Sequence, residues 1–193
     1  MIATQTGRPR DTHIDGAVLR ATLELLERDG YLQLTIANVA ERAGTSKPAI
    51  YRRWPTKAHL VHEAVFPARP LESIARGRDL RADVRTLMRS GLDLLGRPAA
   101  RAALPGLLAE SSASSSLAAD VLAQAAGNTF AWLEDRLTQG VAAGEVRTGV
   151  SAATVFELVA GAAFMATVSA RGGRVGKRWV DATVDVIVRG IAP

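Results

Sequence analysis

Apolar residues return every three or four positions through most of this chain, and no stretch alternates convincingly in the two-residue manner of a strand. The pattern therefore predicts an all-α protein. Ile14, Ala17, Val18, Ala21 and Leu25, flanked by Leu19 and Leu26, form the inward stripe of a first long helix. It opens at Asp11 or Thr12, carries Asp15 in its first turn, and ends at Gly30. Two short helical patterns and a fourth helix opening after Thr56 follow. Pro67, Pro70 and Gly77 then interrupt the pattern, which marks a boundary. Beyond it lie a helix over 79–95 and a short, kinked one bracketed by Pro98 and Pro105 that ends near Glu110. A Ser-rich link over 111–116 and helices over 117–139, 151–170 and 179–191 complete the chain.

The two short patterns around residues 35–57 carry the most information. Thr35 is a good N-cap for a helix whose Ile36, Val39, Ala40 and Ala43 share one face. Gly44 stands where the chain needs a left-handed residue, and Ser46 caps the next helix, with Pro48 in its first turn. Ile50 points inward, while Lys47 and Tyr51 share another face. Two helices around a tight Gly turn make a helix-turn-helix, whose second helix enters the major groove of DNA. From Arg42 to His62 there are five cations, Arg42, Lys47, Arg52, Arg53 and Lys57, and no acid. Such a face suits phosphate neutralisation, although charge alone equally describes an ordinary solvated face. The N-terminus of the fourth helix, with Lys57 beside it, offers a phosphate site.

The run from Ile14 to about Leu60 resembles the DNA-binding domain of the TetR family of bacterial transcriptional regulators. The likeness rests on Gly30-Tyr31, Thr35, Val39-Ala40, Ala43-Gly44, Ser46-Lys47, Tyr51 and Lys57. Ala49 departs from the hydroxyl or glycine frequent at its position, and Trp54 replaces the usual Phe. Ala49 donates no hydrogen bond, but its methyl can meet a thymine C5-methyl. With the Pro67 boundary, the resemblance implies a helix-turn-helix domain over 13–66 and an effector-binding, dimerising helical bundle over 67–193; Gly7-Arg8-Pro9-Arg10 ahead of them read as a flexible basic arm over 1–12. DNA contacts are expected from Thr35, Thr45, Ser46, Lys47, Pro48, Ala49, Tyr51, Arg52, Arg53, Trp54 and Lys57, and, from the arm, Arg8 and Arg10. For Arg8 and Arg10, insertion into an A·T-rich minor groove and a tail with weak phosphate contacts stand side by side.

Composition narrows the alternatives. A chain of 193 residues, 48% hydrophobic, can bury a sizeable core. It has no Cys, which excludes disulfides and thiolate metal sites and suits a reducing cytoplasm. Net charge is +5, and residues 1–60 hold nine cations against six acids, so positive density is N-terminal. His59, His62 and Glu63 fit no zinc-enzyme order, and no metal or cofactor is expected. Residues 1–10 lack the apolar run of a secretory leader. Residues 151–170 are nearly long and apolar enough to span a membrane, but Glu157 and several Ser/Thr dilute the run. A bundle or subunit interface suits them better.

In the family resembled, the last two helices build a dimer interface, which implies roles for Phe156, Ala160, Ala163, Val180, Val184, Ile187 and Val188. Met88, Phe130, Trp132, Phe156, Phe164 and Met165 are candidates to line an effector pocket, or else plain core. The expectation is a homodimeric regulator that a small apolar effector releases from a palindromic double-stranded operator. The rival readings are a non-specific architectural DNA binder and an enzyme with an incidental helix-turn-helix. Against the second, three His and no Cys assemble no recognisable catalytic arrangement.

Overall fold

A computed structural model of the protein describes residues 12–67, 79–113, 115–170 and 174–193. The described residues form helices and no strand: α1 (Thr12–Gln33), α2 (Ile36–Arg42), α3 (Lys47–Tyr51), α4 (Lys57–Val65), α5 (Leu80–Leu95), α6 (Pro98–Ala113), α7 (Ser115–Ala142), α8 (Ala152–Ser169) and α9 (Lys177–Ile191). Side-chain caps set five of the starts. Thr35, Ser46, Thr56, Asp79 and Ser151 each accept a hydrogen bond from a backbone N–H three residues on. Gly30 breaks the helical dihedrals within α1, after which one more turn brings Tyr31 inward.

Two apolar cores result. The first joins α1 to α4 and is closed by α6, through Ala99, Ala100, Ala103 and Leu107. Its α1 contribution is Val18, Ala21, Leu25 and Leu26, with the Thr22 hydroxyl donating to the Val18 carbonyl at 2.8 Å. Ile14, expected on that stripe, is 42% exposed, and Leu26, expected on its flank, is wholly buried. The second core joins α5, the end of α7, α8 and α9 around Val84, Met88, Trp132, Val155 and Val184.

Several expectations change. α6 is not short: it runs sixteen residues with Pro105 inside. An internal proline forfeits a helical hydrogen bond. Burial of the Ala99, Ala100, Ala103 and Leu107 face against the first core compensates. Ser111, Ser112, Ser115 and Ser116 are helical rather than a loop, and residue 114 lies outside the described residues. Ser112 satisfies its hydroxyl on the Leu108 carbonyl, 2.8 Å away, which removes its reason to leave the helix. α4 is more buried than a connector's usual exposure: Ala58, Leu60, Val61, His62, Ala64 and Val65 are buried, and Lys57, His59 and Glu63 are half-buried. α9 starts two residues before the expected Trp179. Pro70 and Gly77 of the boundary lie outside the described residues.

Candidate nucleic-acid interface

The helix-turn-helix is built from the inside. Val39 and Ile50, 0% and 1% exposed, fasten α2 and α3 to α1. Gly44 turns the chain at φ 65°, a conformation that a side chain would strain. α3 is thereby held with one face down and the other open. Lys47, Pro48, Tyr51 and Arg52 are exposed, and neither Lys47 nor Arg52 has an ionic partner among the described residues. Thr35 and Ser46 are exposed but spend their hydroxyls on capping. Thr45 and Ala49 are half-buried beside them.

The other cations are not equivalent. Arg42 reaches back to Glu24 of α1 at 2.6 Å, and Arg53 reaches Asp15 at 2.5 Å. The acid-free run of sequence is therefore partly neutralised by acids brought in from the preceding helix. Lys57 sits 4.1 Å from the centre of the Tyr31 ring and donates to the Tyr31 carbonyl at 3.2 Å. One of its three N–H groups is thus used, and the others remain for an outside acceptor. Trp54, expected among the DNA contacts, is corrected to a core residue. It is 3% exposed, donates its indole N–H to Glu63 at 2.9 Å, and supports α3 from below. Arg8 and Arg10 lie outside the described residues.

The fourth-helix residues that suggested a metal have other roles. The His59 ring nitrogen meets the Thr56 hydroxyl at 2.8 Å, and His62 is buried against Phe66 with ring centres 5.2 Å apart. Sequence reasoning missed Tyr31 as a junction. Its hydroxyl donates to Glu110 of α6 at 2.7 Å, and its ring lies so close to Gly106 that a Cβ there would overlap it. Burial, then the Glu110 bond, pushes the phenol far above its ordinary range. Only a partner 79 residues away identifies this role, so no local signal could have found it.

In the second half, Met88 and Trp132 are packed in the core, and Phe130 and Phe156 touch with ring centres 5.0 Å apart. Phe164 is half-buried, and Met165 is 58% exposed. The Trp132 indole N–H is buried with no acceptor among the described residues. The residues expected at a dimer interface divide. Ala163, Val180, Val184 and Ile187 are buried within the single chain, while Phe156, Ala160 and Val188 are half-buried. The reason is that α5 already covers the inner faces of α8 and α9. The exposed apolar residues on these helices are others: Leu158, Met165 and Val168 on α8, and Trp179 and Val186 on α9. α8 is the one described helix long and apolar enough to cross a membrane, and only 28% of it is buried in the isolated chain.

Comparison with known proteins agrees with this geometry. Residues 18–64 match the family model described as bacterial regulatory proteins, tetR family. Residues 75–187 match the model for the tetracyclin repressor-like C-terminal domain. An uncharacterized HTH-type transcriptional regulator of Mycobacterium tuberculosis H37Rv is 49% identical over 53 residues, 28% of this chain and 24% of that protein. The DNA-binding transcriptional repressor TetR of Mycobacteroides abscessus is 45% identical over 49 residues, 25% of this chain and 26% of that one. The chain thus spans about a quarter of the length of these curated relatives. Whole-chain likeness comes from solved structures. The TetR family transcription regulator SCO0332 superposes with TM-score 0.69 at 26% identity, covering 94% of this chain and all of that one. A TetR-family regulator of Mesorhizobium loti reaches 0.67 at 15% identity, covering 96% and 100%. With a packed helix-turn-helix, an all-α second half and a C-terminal family model over more than half its length, the chain belongs to the TetR family of transcriptional regulators, which are not enzymes.

Proposed function

We propose that this regulator is a homodimeric repressor that binds a palindromic operator and leaves it when a small effector occupies the C-terminal half. The observation that carries the reading is α3: a short helix pinned by Ile50, with Lys47, Tyr51 and Arg52 turned outward. Lys47 and Tyr51 read base edges or adjacent phosphates, Ala49 offers its methyl, and Thr35, Arg53 and Lys57 approach the flanking backbone. A two-fold dimer sets two such helices in successive major grooves, about 34–36 Å apart. Arg8 and Arg10 extend the footprint toward the minor groove. A regulator of this kind works in the cytoplasm, with the chromosome.

The effector proposal rests on Trp132. A buried indole N–H without an acceptor among the described residues, in one core with Met88, Phe130 and Phe156, suits a largely apolar ligand carrying one hydrogen-bond acceptor. The dimer proposal takes the faces that α5 leaves open: Leu158, Met165 and Val168 of α8 with Val186 of α9.

The test is fluorescence anisotropy with DNA from the chain's own upstream region against random duplex, at two salt concentrations. A ratio of 10³ or more in favour of the upstream DNA is expected. Lys47→Ala with Tyr51→Ala should remove the ratio and leave the protein folded, because neither side chain is in the core. Equal affinity for both duplexes at each salt concentration points instead to a non-specific architectural binder and overturns the operator reading.

A further inference from the structure

α5 and α9 lie antiparallel and are tied by a ladder of ion pairs. Arg81 reaches Asp185 at 2.5 Å, and one turn further along α5, Arg85 reaches Asp181 at 3.0 Å. The next turn places Arg89 on α5 opposite the position four residues before Asp181, which is Lys177. The third rung therefore sets cation against cation. Both line a cleft of about 530 Å³, together with Arg101 of α6 and Arg174. Among the described residues none of these four cations has an ionic partner and Asp93 is the single acid on the wall, so the described lining carries a net +3. Its apolar surface is Leu92, Val175 and Val180. The N-cap of α9, Gly176, supplies no side chain to cap the first turn, so the Lys177 end of the cleft lies at an uncapped helix start.

We infer that this cleft is a binding site for a small organic anion with an apolar body, its carboxylate or phosphate drawn in by Arg89, Lys177, Arg101 and Arg174. Two rungs of the ladder are compensated within the chain, and the third leaves two exposed cations side by side, which an outside anion can bridge. The volume suits a ligand of modest size. Neither Trp132 nor Phe130 nor Phe156 lines this cleft. Arg101 makes it consequential, since α6 also supplies Ala99, Ala100 and Ala103 to the DNA-binding core. An anion held between α5, α9 and Arg101 ties the second half to the helix that packs on α1 and α4 of the DNA-binding core. This regulatory use rests on the reading as a DNA-binding regulator, whereas the binding itself does not.

Calorimetry of the full chain without DNA tests it, using octyl phosphate, octanoate and octan-1-ol, which share an apolar body. The two anions should bind and the alcohol should not, and Arg89→Gln should weaken octyl phosphate about tenfold or more, as expected for a lost charge-assisted bond. Arg89→Glu is the sharper variant. It gives Lys177 a partner and completes the ladder, so the unliganded protein should melt higher while octyl phosphate binding disappears. Equal binding of the alcohol and the phosphate, or undiminished binding in Arg89→Glu, overturns the site. If Arg89→Glu instead lowers affinity and salt dependence for DNA while the parent ignores both anions, the cations serve DNA phosphates and the inference fails. A parent that binds octyl phosphate but has no preference for any duplex keeps the anion site and loses the regulatory reading.

Discussion

Tyr31 meets two other helices at once: Lys57 of α4 over its ring and on its carbonyl, and α6 through Glu110 at its hydroxyl and Gly106 against its ring. Because Gly106 leaves no room for a Cβ, Gly106→Ala should force ring or helix to shift and cost about 1–3 kcal/mol, read by urea denaturation. The same residue sets an alkaline limit. The folded phenol is held protonated, whereas the unfolded one releases its proton near pH 10. The contribution is thus fully present below about pH 10 and falls as pH rises above it. Tyr31→Phe should flatten that part of the stability–pH curve. Trp54 makes a separate prediction. Trp54→Phe keeps a ring in the core but removes the donor to Glu63, so about 1 kcal/mol of stability should go. The salt dependence of DNA binding should stay unchanged, because the indole never faces solvent.

Among whole helices, α5 is the organiser of the second half. One face fills the core with Leu80, Val84 and Met88, and Gly91 lets α8 approach at Ala163. Asp83, 1% exposed, is held by Arg136 of α7 at 2.6 Å, and Arg136 also reaches Glu145 at 2.9 Å. Removing one member of a buried pair strands the other charge. Asp83→Ala should therefore destabilise by about 3 kcal/mol, the lower end for such pairs because Glu145 remains. Circular dichroism during urea unfolding measures it. The exposed Arg189–Asp185 pair, with Arg189 78% exposed, should matter far less.

Across the whole molecule, the two cores are not separate beads, because α6 follows α5 in the chain but packs into the first core. Any rearrangement of the second half that moves α6 is felt by α1 and α4. The outer faces of α8 and α9 decide assembly. On α8, Leu158, Met165 and Val168 fall on one stripe, and Trp179 and Val186 do so on α9. Val186→Asp or Val168→Asp should yield a folded monomer in sedimentation, since each charge is hydrated until a partner covers it. Val184→Asp, by contrast, places the charge in the chain's own core and should unfold the subunit. A dimer that persists in both surface variants moves the interface elsewhere.

Much of this was written locally. Caps at Thr35, Ser46, Thr56, Asp79 and Ser151, the left-handed turn at Gly44 and the helical periods depend on neighbours within four residues, so the sequence alone determined them. The same holds for the outward set of Lys47 and Tyr51, because Ile50 fixes which side of a one-turn helix faces in. What depended on distant partners was decided only by the tertiary structure. Periodicity identified the apolar face of α9 but not what covers it. α5 does so, which reserved Val180, Val184 and Ile187 for the chain's own core and left Val186 outside. Charge along the chain showed five cations around the helix-turn-helix, whereas Asp15 and Glu24 neutralise two of them from a helix earlier in sequence. Pro105 and the serines after it read as breakers, yet burial of one face of α6 outweighed local preference. A residue's neighbours in sequence set its backbone conformation; whether its side chain meets solvent, a countercharge or another helix is settled only when distant segments pack.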